Sequence, residues 1–191
     1  MQDYKATIIL NRLNKSIRTS INYMAGWLDD LREMICNDLE RVEYHKVEGD
    51  LGAVLDRCVS IMSPLAQQVS MEISFSSEDG VVLDFDPNKM PQVIFNLVGN
   101  AIHYGEPGTE IKINLEKSEE FIEFSVENYG DQIPENRLEL IFERFERAST
   151  KKAGLGIGLN ICREIVENHQ GTLEAQNLDH GVIFKVKLPL S

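Results

Sequence analysis

The sequence has few of the features that mark disulfide-stabilised, nucleic-acid-binding or membrane-spanning proteins. Its three cysteines form no C-x-x-C pair, which indicates neither a disulfide framework nor a zinc site and favours a reducing cytoplasm. The net charge is −12 and no basic run occurs, so binding to nucleic-acid phosphates is not expected. No apolar run approaches the ~18 residues of a membrane span, and the N-terminus lacks a secretory signal. We expect a cytoplasmic chain, although a longer parent protein could be anchored in a membrane.

From Ile9 or Leu10 to Val42, apolar residues recur at intervals of three and four, as along a helix that packs against a partner. Such a helix would extend on the order of 50 Å, more than one small domain can cover. The pattern therefore predicts a homodimer formed through a helical bundle, and a helix folded back on its own domain is the alternative. Residues 1–45 are interpreted as the dimerisation segment and 46–191 as a second domain. The seam comprises Leu13, Ile17, Ile21, Met24, Leu28, Leu31, Ile35, Leu39 and Val42.

The second domain alternates helical and strand patterns. Asp50 is placed to cap a helix reaching residue 68, with inward positions that include Ile61 and Leu65. Asp86 and Pro87 are expected to begin a second helix that ends at residue 103 or 104. Pro134 is expected to open a further helix, and residues 157–169 form the last. Strand patterns pair as three hairpins: 71–75 with 81–85, 109–115 with 121–127, and 172–176 with 182–188. The predicted fold is an α/β two-layer sandwich, a mixed five- to six-stranded sheet covered by three helices, with residues 44–50 as the linker from the long helix.

Two segments contain candidate ligand-binding residues. In NLVGNAIHY, Asn96 and Asn100 stand four apart, so one helix face offers both carboxamides while the other turns apolar residues into a core. About fifty residues later, GLGIGL places three alternating glycines before an amphipathic run, as in a loop whose N–H groups meet phosphate at a helix N-terminus. Between them, the strand FSVENYGDQIP ends in Asn128 and Gly130 and leads to IFERF. Together these segments predict a nucleotide site.

In this order and spacing, the segments resemble the catalytic and ATP-binding domain of the sensor histidine kinases of two-component systems, a Bergerat or GHKL-type ATPase fold. The resemblance covers about residues 50–190. Residues 96–104 correspond to the N-box, 128–133 to the first glycine box, 142–145 to the F-box and 154–158 to the second glycine box. The resemblance implies a domain that positions ATP and Mg²⁺ for phosphoryl transfer to a histidine on a helical bundle and then to a response regulator.

The resemblance also implies individual ligand contacts. Asn100 would be the Mg²⁺ ligand, because a neutral amide oxygen suffices where the triphosphate supplies negative charge. Asn96 and His103 would face the phosphates, but the family more often has Lys or Arg at the position of His103, and an exposed helix-end histidine is the other interpretation. The residues implied for ATP binding are Asn96, Asn100, His103, Tyr104, Asn128, Gly130, Ile133, Lys151, Lys152, Gly154, Leu155, Gly156, Ile157, Gly158 and Leu159.

Three features depart from the family pattern. Asn128 stands where the family usually has Asp, but its carboxamide can accept a hydrogen bond from the adenine amino group and donate one to the adjacent ring nitrogen. Gln132 replaces the second glycine of that box. The lid before Gly154 is short, and its Lys151 and Lys152 either reach the phosphates or are merely solvated. The residues expected to pack and seat the lid are Phe142 and Phe145.

Two classes of function fit these features. The first is an ATP-dependent protein-histidine kinase. The second is a non-catalytic dimeric relative that binds a regulator, as phosphotransfer and anti-sigma proteins of similar fold do. The retained glycines favour the kinase.

The acceptor histidine generates the first prediction. In the family it is commonly followed by an acidic residue. The nearest local likeness, KSIRTSI, puts Lys15 in its place; alternatively residues 38–43 end the second bundle helix and the acceptor lies outside this chain. No acid follows any of the four histidines, His45, His103, His169 and His180.

We therefore expect the purified chain to bind ATP without phosphorylating itself. Incubation with γ-labelled ATP, followed by an assay for acid-labile phosphate, tests this. Label on any histidine of the chain would show that the expectation is wrong.

Overall fold

The computed structural model describes residues 43–78, 80–146 and 156–190, and there three helices cover a mixed five-stranded sheet. The predicted α/β sandwich is confirmed. The predicted seam of the dimerisation segment, through Val42, lies outside the described residues. Within these ranges, none of the helices combines the length and the apolar character needed to cross a bilayer.

The helices are α1 (Leu51–Gln68), α2 (Met90–Tyr104) and α3 (Gly158–Asn168). The strands are β1 (Val47–Asp50), β2 (Glu72–Ser77), β3 (Val82–Phe85), β4 (Glu110–Lys117), β5 (Phe121–Tyr129), β6 (Thr172–Leu178) and β7 (Gly181–Pro189).

The large sheet has the strand order β2-β4-β5-β7-β6, in which only the β2–β4 pair is parallel. Alternate residues of β5 are buried beneath the helices: Ile122, Phe124, Val126 and Asn128. The other face carries ion pairs such as Lys187 with Glu123, at 3.4 Å. Because side chains alternate along a strand, Asn128 shares the covered face with the apolar core.

The first predicted hairpin is wrong. Strand β2 pairs in parallel with β4, whereas β3 pairs antiparallel with β1, in a separate two-stranded sheet. Strand β1 occupies residues interpreted from the sequence as linker. Local alternation identifies a strand but does not choose its partner, and a short connection between two strands does not require that they pair. The other two hairpins are confirmed.

Helix α1 begins as predicted, with Asp50 Oδ1 accepting from the N–H of Ala53 at 3.1 Å. Of the predicted inward positions, Leu55 and Cys58 are buried, but Ile61 and Leu65 are 53% and 41% exposed, so the second half of the buried face was predicted wrongly. Several stripes at three- and four-residue spacing were available, and only the packing partner selects among them. The buried stripe is Leu51, Leu55, Cys58, Val59, Met62 and Ala66.

Unlike the start of α1, the starts of two further predicted helices differ from the prediction. Asp86 does not begin α2; its carboxylate accepts from the N–H groups of Asn88 and Lys89, capping a turn that precedes the helix. Helix α2 ends at Tyr104, as expected. Pro134 opens only short 3₁₀ turns, Glu135–Arg137 and Leu140–Phe142, instead of an α-helix.

A buried histidine joins the end of α3 to the segment before α2. Nε2 of His169 accepts from the backbone N–H of Asp86 at 2.9 Å, and Nδ1 lies 2.7 Å from the Ile165 carbonyl. Only the neutral tautomer protonated on Nδ1 satisfies both contacts. Burial lowers the pKa of His169, and the nearby positive charge of Lys46 acts in the same direction. The carboxylate of Asp86 in turn accepts from the N–H of His45, which holds the incoming chain.

We predict that His169 makes stability fall in mild acid. Its folded pKa lies below the unfolded value of about 6.5, so the unfolded chain binds more protons as the pH falls through that value. The stabilisation is complete above about pH 6.5 and is lost progressively below it. His169→Leu should cost about 1–3 kcal/mol at pH 7.5 by leaving the buried Asp86 N–H unpaired, and should reduce the loss on acidification.

Urea unfolding of the parent, His169→Leu and His45→Gln at pH 7.5, 6.5 and 5.5 measures this effect. The side chain of His45 is exposed, so its variant should keep the parental pH dependence. Parallel curves for the parent and His169→Leu would contradict the assignment.

Candidate functional site

Helix α2 has the two faces that its sequence predicted. Leu97 and Val98 are fully buried, whereas Asn96, Asn100 and Tyr104 are half-buried and follow one another at four-residue steps. Residues so spaced form one ridge of a helix. This ridge of three residues presents two amide groups beside the loops described next.

One end of the ridge meets the second glycine box. A Cβ at Gly158 would lie 3.0 Å from Oδ1 of Asn96, so a larger residue there would shift the carboxamide. Gly158 opens α3, whose N-cap residue, Ile157, makes no side-chain capping bond, and no acidic residue occupies the first turn. The partial positive charge of a helix N-terminus therefore faces Asn96 without an acid from that turn to balance it.

The other end of the ridge meets the first glycine box. Gly130 has φ +151° and forms a β-bridge with Gly105, just beyond α2. A Cβ there would come within 2.8 Å of the Tyr104 carbonyl oxygen. The N–H of Glu106 donates to the Tyr129 carbonyl at 2.9 Å. The structure thus brings the first glycine box and the described end of the second, Gly158, to the helix that carries the N-box.

Asn128 lies at the end of β5 and is 3% exposed. Its Nδ2 donates to the carbonyl of Tyr129 at 3.1 Å, which orients the carboxamide and assigns the acceptor role toward a ligand to Oδ1. Ile133, the next predicted contact in that box, is also buried. The box therefore combines an amide acceptor with an apolar side chain, the surroundings that a nucleotide base needs.

Sequence reasoning missed the residues that hold this box from its other side. Asn177, on β6, accepts from the N–H of Ile133 at 2.9 Å and donates to its carbonyl at 2.7 Å. The side chain of Gln132 donates to the Leu178 carbonyl at 2.6 Å, so the residue replacing the usual glycine anchors the loop. Asn177 lies 44 residues from Ile133, and the only local signal was an asparagine before a turn.

The two phenylalanines of the F-box differ in their exposure to solvent. Phe142 is buried, with the Arg163 guanidinium 4.5 Å from its ring centroid. Phe145 is 63% exposed, so the prediction that it packs is wrong. Its backbone N–H instead donates to the Gly156 carbonyl at 2.9 Å. Asn160, also missed, donates to the Phe142 carbonyl at 3.1 Å and joins α3 to this segment.

The remaining predicted residues fall into two groups. His103 is half-buried, with its ring 4.8 Å from that of Tyr104 in a T-shaped contact, and Leu159 is half-buried in the first turn of α3. Residues 147–155 lie outside the described residues, and with them the predicted contacts Lys151, Lys152, Gly154 and Leu155.

The donor set suits a metal that arrives with a phosphate. Among the residues that the structure describes, no group of three or more His, Cys, Asp or Glu side chains could hold a metal ion. Asn100 offers one neutral oxygen, the type of ligand that Mg²⁺ accepts when phosphates and water provide the others. The residues present therefore fit a nucleotide-bound cation better than an independently bound one.

Known proteins are similar to this chain in sequence and in fold. Residues 85–191 match the model of the histidine kinase-, DNA gyrase B-, and HSP90-like ATPases. The sensor protein SrrB of Staphylococcus aureus is 30% identical over 167 residues, covering 85% of this chain but 29% of SrrB. The catalytic domain of histidine kinase ThkA has a TM-score of 0.70 at 30% identity, covering 76% of this chain and 95% of that domain. ThkA in complex with response regulator protein TrrA has a TM-score of 0.79 at 27% identity, covering 94% of this chain and 52% of ThkA.

The tight contact at Gly130 generates a stability prediction. Gly130→Ala should lower the free energy of unfolding by about 1–3 kcal/mol, because the added Cβ meets a backbone carbonyl and the residue has positive φ. Gly99→Ala, within α2, is the matched control: its Cβ meets no heavy atom within 4 Å, and it should stabilise by about 0.5–1 kcal/mol. Urea denaturation measures both. Equal effects of the two changes would contradict the close approach.

Proposed function

The chain belongs to the histidine kinase-, DNA gyrase B- and HSP90-like ATPase family, whose members bind nucleotide, and we propose that it is the ATP-binding catalytic domain of a two-component sensor histidine kinase. The observation that carries this proposal is the convergence on α2: Gly158 lies so close to Asn96, and Gly130 so close to Tyr104, that a Cβ at either glycine would come within 3.0 Å of an oxygen atom. These close approaches support the proposal because they set the amide ridge between the first glycine box, where the base would bind, and the start of α3, where the phosphates would bind.

The base would lie against the first glycine box. Oδ1 of Asn128 would accept from the adenine amino group, while Nδ2 stays bonded to the Tyr129 carbonyl. Guanine carries a carbonyl oxygen at that position and would set two acceptors against each other. Ile133 would contact the ring, and Gly130 would let the backbone approach it.

The phosphates would lie toward the start of α3. The N–H groups of its first turn and the carboxamide of Asn96 would bind phosphate oxygens, with His103 contributing from α2. Asn100 would hold Mg²⁺. Lys151 and Lys152 are proposed to add charge from the lid. Bound ATP would supply the transferable phosphoryl group, and the work of the chain's own residues would be positioning and charge stabilisation.

We further propose that the phosphoryl acceptor is a histidine of a helical bundle, that residues 1–45 contribute to a dimer, and that a response regulator is the downstream partner. ThkA, which matches 94% of this chain, has been crystallised with a response regulator. The chain spans 29% of the length of SrrB, so the activity of a whole sensor protein is itself part of this proposal. Binding of a regulator without binding of ATP would favour the non-catalytic alternative.

Asn100→Ala tests the site. We expect ATP binding in Mg²⁺ to weaken about 10- to 100-fold, the value of a lost contact to a charged group, and binding in EDTA to change little. Asn114→Ala, which alters a half-buried residue on the uncovered face of β4, should match the parent. Calorimetric titration of the three chains measures this. Absence of ATP binding by the parent would refute the proposed function, and equal affinity of Asn100→Ala would refute the metal assignment alone.

A further inference from the structure

The side-chain carboxamide of Asn177 is hydrogen-bonded to both backbone groups of one residue of the first glycine box, Ile133. Its Oδ1 accepts from the N–H of Ile133 and its Nδ2 donates to the same residue's carbonyl, at 2.9 and 2.7 Å. The same Nδ2 lies 3.2 Å from a carboxylate oxygen of Glu135. A side chain that both accepts and donates to one peptide residue fixes that residue's orientation as well as its position.

Strand β6, which carries Asn177, is joined through β7 to β5, which carries the predicted base contact Asn128. Asn177 is directly opposite Val182, and Val182 is directly opposite Asn128, so the three form one row across β6, β7 and β5. Directly opposed residues share a face of the sheet, and Val182 and Asn128 are both buried on the covered face. Asn177 and Asn128 thus lie in one row across the sheet, two strands apart.

The two asparagines hold different parts of the same small site. Asn128 offers its Oδ1 at the end of β5, and Asn177 holds Ile133, which follows five residues later. Gly130 between them is fixed by the bond from its N–H to the His180 carbonyl, at 3.0 Å. These hydrogen bonds order the loop before any ligand binds, so binding costs less conformational entropy.

We propose that Asn177 is a positioning residue for nucleotide-base recognition, a role that rests on the proposed function. It touches no ligand; it holds Ile133 where that side chain forms a wall of the base site. Its influence should therefore reach the base and leave the phosphate subsite, at the start of α3, unchanged.

The experiment compares a ligand with a base and one without. ATP and inorganic triphosphate, each with Mg²⁺, are titrated against the parent, Asn177→Ala and Gln176→Ala by competition with a labelled nucleotide. Gln176 is the adjacent, exposed residue of β6 and serves as the matched control. Asn177→Ala should weaken ATP binding about tenfold, corresponding to the loss of one to two net hydrogen bonds. Triphosphate affinity should stay within about twofold of the parent.

A milder variant protects the test against a failure to fold. Asn177→Ser keeps a group that can both donate and accept, and its ATP affinity should fall between those of the parent and Asn177→Ala. Unchanged ATP affinity in Asn177→Ala, or equal losses for ATP and triphosphate, would overturn the positioning role while leaving the proposed function standing. A parent chain that binds no ATP would overturn both.

Discussion

The site depends on the close antiparallel approach of α3 to α2. In chain order, Asp86 before α2 is bonded to His169 just after α3, Val93 in α2 lies near Cys162, and Asn96 lies beside Gly158 at the start of α3. Their opposite order in the two helices means that the N-terminus of α3 must lie beside the middle of α2. The positive end of one helix is thereby set against the amide ridge of the other. A side chain at Gly158 would press on Asn96, so the glycine is part of the geometry that makes the site.

The first glycine box is held from two sides by separate parts of the chain. The end of α2 approaches it through Tyr104 and Gly105, whereas the end of β6 contacts it through Asn177 and the following turn through His180. Neither side alone would determine the direction of the loop. Backbone pairs and a few specific side chains together hold the loop in one conformation, and a preformed loop loses less entropy on binding.

The charge of the chain constrains how such a site could hold a nucleotide. A net charge of −12 repels anions at long range, and this repulsion is screened at physiological ionic strength over about 8 Å. Attraction must therefore come from groups in direct contact. The start of α3 provides backbone N–H groups, and Asn96 and Asn100 add no negative charge of their own. Replacing either asparagine by an acid would add to the repulsion at the place where phosphate is expected.

The sequence by itself determined the elements whose signals are local. The two faces of α2, its end at Tyr104 and the last two hairpins follow from helical periodicity and from turns between neighbouring strands, and the ordered boxes indicated a nucleotide site. Only the tertiary structure decided which strand pairs with β2, which stripe of α1 is buried, and that Asn177 holds Ile133. Each of these choices depends on a partner tens of residues away, and a periodic pattern carries no information about that partner. Packing selected among arrangements that the local chemistry allowed equally.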